Sequence, residues 1–386
     1  MSSIVWPELI TVLRTHIYMY LGISIGKVGR LLGIFSLRKV PVQETKVIIE
    51  AGSNGWKAVF FEELRESLCE YLTPEAVVCS SIDREKSYLY QALSKLNSER
   101  PTHYCFDPRT GPQKSFRTLM NSCILIFFLG LWRITPIVIL TDASIRLWRY
   151  QAFLLTGSSG LVITFLDAQS MGALFPHKRV IGPSFIPISR KTCESLKLYN
   201  KSATQSDIDF TEVYFLGSLY SERKNFLSNL ESELRAIDSK VRLNIEEKSS
   251  DISSIDYWKK ITSHKCVVTT TFQYYSDKYP TDRINIDQMV FRISETLAAG
   301  KLLFCTSVPG MSKYFLEDQH FVSYRTSSEA ASKMHYYSEH PSEAHKIALK
   351  GQNKYQELAT ESTFWVDIDK MLISKNTRPL LFQSNA

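Results

Sequence analysis

The sequence predicts an α/β fold built from two successive halves, each a parallel sheet covered by helices. Three observations point to it. Short β-branched runs alternate with stretches of helical periodicity along most of the chain, the signature of strands joined by crossover helices. Two such series of similar size follow one another without an internal sequence repeat, which sets a solenoid aside. A length of 386 residues is also too great for one ordinary core and fits two domains.

Taken in order, the first half opens with KVIIE at residues 46–50, a strand, followed by the turn AGSNGW and a helix over 58–71. A second strand is expected at 76–79, a helix to about residue 97, and further strands at 103–106, 137–140 and 161–165. The polar stretch 189–209 holds a short helix and reads as the linker. The second half begins with the strand EVYFLG at 212–217 and a helix over 222–237. Strands follow at 241–245, 267–270, 302–305 and 321–324, with helices at 256–263, 287–299 and 329–339 between them. The pattern divides the chain into a basic segment 1–40, Rossmann-like halves at 41–200 and 210–373, and a tail 374–386.

Composition narrows the function classes. Hydrophobic residues at 44% and charged residues at 22% belong to a globular chain with a sizeable core. The excess of 46 Lys and Arg over 39 Asp and Glu gives +7, spread thinly and without a basic block. That argues against a nucleic-acid partner and suits a small anionic substrate or an anionic membrane surface. Seven cysteines occur singly with no CxxC pair, as expected of reduced core residues in a cytoplasmic protein without a zinc site or disulfide framework.

Two apolar stretches require a membrane reading. Residues 9–40 carry Arg14, Lys27, Arg30, Arg38 and Lys39 and no acidic residue, while Gly22, Gly26, Gly29 and Gly33 recur at helical spacing. The charges within it disfavour a spanning helix and leave two readings, a basic helix lying on a membrane surface or a helix packed on the first domain. The second stretch, CILIFFLGLWRITPIVIL at 123–140, is broken by Arg133 and Pro136 into a buried helix end and a strand.

The densest chemistry lies in DQMVFRISETLAAG at 287–300, followed by KLLFCT and SVPGMSKYFLEDQHFVSY. A helix over this stretch puts Asp287, Phe291 and Glu295 about one turn apart and Arg292 beside Glu295. A carboxylate there can accept both hydroxyls of a ribose, and an Arg can meet a diphosphate. The same spacing also describes a solvated ion pair.

These motifs, with HFVSY and MHYYSEHPSEAHKIALKGQNKY downstream, resemble the donor-binding half of the group 1 glycosyltransferases, particularly the CgeB-like branch, over about residues 212–369. The resemblance implies the GT-B fold, two Rossmann-like domains facing across a cleft, with a nucleotide-diphosphate sugar as co-substrate, no other cofactor and no metal. It implies that Glu295 binds the ribose, that Arg292 lies against the diphosphate or sugar, and that Gly300 allows close helix-to-strand packing. The family's first acidic position, usually Glu, is filled here by Asp287, whose shorter side chain would face the donor sugar.

FLGSLYSERK at 215–224 resembles the first strand and loop of such a donor domain. Gly217 and Ser218 would leave room for phosphate oxygens at a helix N-terminus, with Arg223 and Lys224 adding charge, the other reading being a tight turn with basic surface residues. In the first half, Gly52 and Gly55 could form a loop toward the sugar or acceptor. With only two glycines they make no dinucleotide fingerprint and equally suit a simple turn. Asp142, after PIVILT, and Asp167, after VITFL, close strands where a base for the acceptor hydroxyl is needed, and each could instead cap the next helix. DxD triplets at 207–209 and 367–369 close no donor-half strand and read as surface carboxylates.

The function expected is transfer of a sugar from a nucleotide-sugar donor to a glycan or lipid-linked acceptor, with peripheral membrane contact through residues 9–40. The alternative is a non-catalytic nucleotide- or sugar-binding protein that keeps the fold.

Overall fold

The computed structural model describes residues 6–34, 45–51, 56–81, 87–106, 116–140, 161–164, 180–202, 210–217, 219, 221–247, 254–273, 286–374 and 380. Contacts divide the chain into two units. The first comprises residues 1–53, 68–182 and 365–386; the second comprises 54–67 and 183–364. Residues 54–67 and 183–200, expected with the first half, thus group with the second, and residues 365–373 return to the first.

The first unit is built on a six-stranded sheet of β1 (Val47–Ala51), β2 (Val77–Ser81), β3 (His103–Phe106), β4 (Thr135–Leu140), β5 (Leu161–Thr164) and β6 (Val180–Ile181), in the order β2-β1-β3-β4-β5-β6. Every pairing is parallel. A strand such as HYCF in β3 is buried at all four positions, as a sheet covered on both faces requires. Among the described residues of this part of the chain the α-helices are α1 (Trp6–Ile34), α2 (Trp56–Tyr71), α3 (Tyr88–Glu99) and α4 (Phe116–Leu131).

Of the two readings for the basic N-terminal segment, packing on the first domain describes one face of α1. Its glycine stripe lies against α4: a Cβ added to Gly29 would stand 2.5 Å from the Phe127 carbonyl oxygen, and one on Gly33 2.5 Å from that of Leu131. Gly130 of α4 reciprocates, 2.7 Å from the Gly26 oxygen. Backbones this close admit no side chain between them, which is why glycine recurs there. The run 123–140 divides as expected, α4 ending at Leu131 and β4 starting at Thr135, with Arg133 in the turn at φ 55°. No helix among the described residues is long and apolar enough to cross a membrane.

The second unit holds a five-stranded parallel sheet, order β13-β12-β9-β7-β8, from β7 (Glu212–Gly217), β8 (Arg242–Glu247), β9 (Cys266–Thr269), β12 (Leu302–Cys305) and β13 (Val322–Ser323). The interior strands CVVT and LLFC are wholly buried, whereas no residue of edge strand β8 is. Around them lie α5 (Arg190–Ser202), α6 (Ser221–Ala236), α7 (Ser254–Ser263), α8 (Phe291–Ala298), α9 (Ser327–Glu339), α10 (Pro341–Thr360) and α11 (Thr363–Ser374), the last passing into the first unit. Phe215, Leu230, Val268, Phe304, Tyr324 and Met334 form the centre of its core.

Two expectations need correction. The short helix expected within 189–209 is α5, thirteen residues long, and it is no solvated linker helix, since it buries Cys193 and Leu196. The helix expected from Asp287 starts at Phe291 instead, because Ile286 and Asp287 form strand β11, paired antiparallel with β10 (Phe272–Gln273). The Gln288 amide then bonds to the Thr271 carbonyl at 2.9 Å, and Val290 is extended at φ −69°, ψ 154°. Backbone pairing across the hairpin outweighs the helical spacing of the side chains.

Candidate functional site

Helix α8 follows hairpin β10–β11 and leads into β12, and all eight of its residues are buried. A helix enclosed on every side needs small residues at its close contacts, and Ala298, Ala299 and Gly300 supply them where it turns into the strand, Gly300 at φ 65°. Such burial makes its two charged side chains exceptional. Glu295 is 0% exposed, and Arg292 7%.

The two are held together. Arg292 Nη1 lies 3.1 Å from Glu295 Oε2, and the Tyr257 hydroxyl, from α7, donates a short hydrogen bond to Glu295 Oε1. The guanidinium also stands 5.7 Å from the Tyr257 ring centre. Burial pushes the Tyr257 hydroxyl well above its usual pKa, so it remains a neutral donor. For Arg292, burial acts against the charge, but Glu295 and Tyr257 more than offset it and the pKa is raised.

This cluster retains unspent hydrogen-bonding capacity. Among the described residues, Arg292 Nε and Nη1 and Glu295 Oε2 are buried without a hydrogen-bond partner, and so are Gln288 Oε1 and Thr296 Oγ1. The Arg292–Glu295 approach is therefore an ion pair without hydrogen-bond alignment. Buried polar atoms left open cost about 1–3 kcal/mol each unless something else bonds to them. Three such atoms on one charge pair suit a polar ligand, with the guanidinium able to receive an anion and the carboxylate a hydroxyl.

A second polar group closes the carboxyl edge of the sheet. The chain passes from β7 to β8 on one side and then to β9 on the other, so β7 and β9 flank the point where the strand order reverses, the usual seat of ligands in open parallel sheets. Gly217 ends β7, Thr270 and Thr271 follow β9, and Arg223 on α6 donates through Nε to Thr270 Oγ1 at 3.0 Å. A Cβ on Gly217 would meet the Phe215 ring at 3.1 Å and Arg223 Nη1 at 3.7 Å, so the guanidinium stands beside the strand end. Thr271 is tied through its amide, at 3.3 Å, and its hydroxyl to Thr306 Oγ1 beyond β12. Lys224, the next residue after Arg223, is exposed.

The structure thus brings Arg292 and Glu295 together, and separately Gly217 and Arg223. Asp287 is described only in its backbone, on β11 rather than α8. Ser218, Gly52, Gly55, Asp142 and Asp167 lie outside the described residues. In sequence, Asp142 follows the last residue of β4 by two positions and Asp167 that of β5 by three. The DxD at 367–369 is not a pair of surface carboxylates: Asp369 is buried, accepting from Tyr71 Oη at 2.7 Å and from the Leu380 amide at 2.5 Å. Both its oxygens are engaged inside the first unit. Among the described residues, no group of His, Cys, Asp and Glu could hold a metal ion.

Sequence reasoning missed Tyr257, Thr270, Thr271 and Thr306. The threonines had a signal, a polar TTT directly after the apolar strand CVV. Tyr257 had none, being 38 residues from its partner.

Residues 223–363 match a family described as glycosyl transferase-like. No curated protein matches the chain. Among solved structures, a sucrose-phosphate synthase from Thermosynechococcus elongatus is similar at 10% identity and a TM-score of 0.53, covering 86% of this chain and 100% of that one. HepE from Anabaena, in complex with UDP, is similar at 11% identity and a TM-score of 0.47, covering 86% and 99%. The fold of the chain is GT-B, and the segment from Arg223 to residue 363, which carries both polar clusters of the second sheet, is the part that resembles glycosyl transferases.

Proposed function

We propose that the chain is a glycosyltransferase of the group 1, CgeB-like kind, moving a sugar from a nucleotide-diphosphate sugar to a glycan or lipid-linked acceptor. The observation that carries this reading is the buried Arg292–Glu295 pair, whose open hydrogen-bonding atoms lie inside the glycosyl transferase-like segment. In it, Glu295 Oε2 accepts from a ribose hydroxyl, and Arg292 Nε and Nη1 take the diphosphate or sugar. Gly217, Ser218 and Arg223 line the phosphates at the strand switch, with exposed Lys224 contributing charge at longer range.

The reaction follows from these roles. A carboxylate, Asp142 or Asp167, draws the proton from an acceptor hydroxyl as its oxygen attacks the anomeric carbon. The bond from that carbon to the diphosphate oxygen breaks, and the cations stabilise the departing negative charge. Asp287 contacts the donor sugar, and Gly52 and Gly55 the sugar or acceptor. Positive side chains do the work a metal does elsewhere, so none is required.

The test is a thermal-shift series of nucleoside diphosphates, joined to a donor-hydrolysis assay run in a chelator. A ligand that binds only the folded chain raises its melting temperature; at a hundredfold excess over Kd the gain is about 2.7 kcal/mol. One diphosphate is expected to give this shift, and Glu295→Gln to remove most of it while lowering kcat/KM at least about tenfold. Absence of a shift with every diphosphate would sink the proposal. A shift without turnover would leave the non-catalytic binding protein.

A further inference from the structure

The face of α1 turned away from α4 is more apolar than a surface exposed to water should be. With Gly26, Gly29 and Gly33 on the packed side, the helical period sends Ile17, Tyr20, Ser24, Val28 and Leu31 outward. Ile17 is 56% exposed, Tyr20 62% and Leu31 61%, and Leu21, Val28 and Leu32 are exposed beside them. This apolar strip has a basic border. Lys27 and Arg30 are both exposed and project along one flank, Leu21 and Leu32 along the other. No acidic residue occurs between Leu9 and Val40.

We infer that this face docks on an anionic lipid bilayer, α1 lying in the headgroup region with its axis along the membrane. The strip supplies apolar area to the acyl boundary, and Lys27 and Arg30 meet lipid phosphates. The helix lies on the membrane rather than across it, because Lys27 and Arg30 interrupt its apolar run and its glycine side is occupied by α4. A second copy of the chain fits less well, since a twofold pairing through this face would set two segments against each other that carry basic residues and no Asp or Glu between Leu9 and Val40.

The inference is independent of the glycosyl-transfer reading and is tested without turnover. The full chain is sedimented with phosphatidylcholine vesicles, with and without phosphatidylglycerol. Binding is expected with phosphatidylglycerol, weakening as salt is raised. Lys27→Glu with Arg30→Glu should lower the partition coefficient about tenfold or more, and so should Val28→Glu with Leu31→Glu. Circular dichroism checks the fold of each variant, and Lys27→Gln with Arg30→Gln replaces the first pair if it misfolds, with a smaller loss expected. Failure of the unaltered chain to bind either vesicle overturns the inference, as does equal binding by folded variants. So does lipid-free self-association that Val28→Glu with Leu31→Glu abolishes, which would identify a second copy as the occupant.

Discussion

Tyr257 holds Glu295 in place, and the hydroxyl is the only part of the ring that does so through a hydrogen bond. Tyr257→Phe keeps the ring beneath Arg292 but leaves Glu295 Oε1 buried without its donor. Urea denaturation should register a loss of about 1–3 kcal/mol. Nucleoside diphosphate affinity should fall with it, since a carboxylate lacking its anchor turns toward Arg292. A variant equal to the unaltered chain in both measurements would show the bond to be incidental. Arg292 and Glu295 were legible because they lie three residues apart within a motif string. Tyr257 was not, because only the fold brings α7 to α8 and makes it their neighbour, and periodicity carries no trace of a contact between separate elements.

At the scale of elements, the start of α5 couples a helix terminus to pH. Glu63 is buried and accepts from the Ser189 amide and the Thr192 hydroxyl, both at 2.9 Å, so a carboxyl group from α2 caps α5. Burial raises its pKa from 4.5 to about 7, outweighing those two hydrogen bonds, which favour the ionised form. The folded chain therefore keeps a proton that the unfolded chain has released. The associated stability is complete below pH 4.5 and is lost as pH climbs toward about 7, on the order of 3 kcal/mol across that window. Glu63→Gln should flatten this slope in urea melts taken from pH 5 to 8, and an unchanged slope would assign it to other groups. Strand and helix identities were largely readable from period and composition. Boundaries yielded where a partner strand competed: side-chain spacing favoured helix from Asp287, but the β10–β11 hairpin claimed that backbone first. The short helix α5 was expected, but its burial was harder to see because its buried apolar residues, Cys193 and Leu196, are few and set among polar neighbours.

For the molecule as a whole, the two-sheet organisation was legible from repeated strand and helix alternation, but its division was not, since sequence order conveys nothing of which segments return. Residues 365–386 belong with the first unit, where Trp365, Ile368, Leu372 and Leu380 are buried and Asp369 ties Tyr71 to Leu380. Deleting them should lower hydrogen-exchange protection across β1, β2 and β3 much more than across β7, β9 and β12. Equal loss in both sheets would mean that the two units melt as one. The same arrangement dictates an order of assembly on the ribosome. The portion translated first waits for its closing helix until residues 183–364 have all emerged, so the nascent protein carries a first sheet whose strands are all made but whose C-terminal cover is missing through about half of its synthesis. The early half is then the one most dependent on chaperones, and slow elongation late in the message lengthens its exposure.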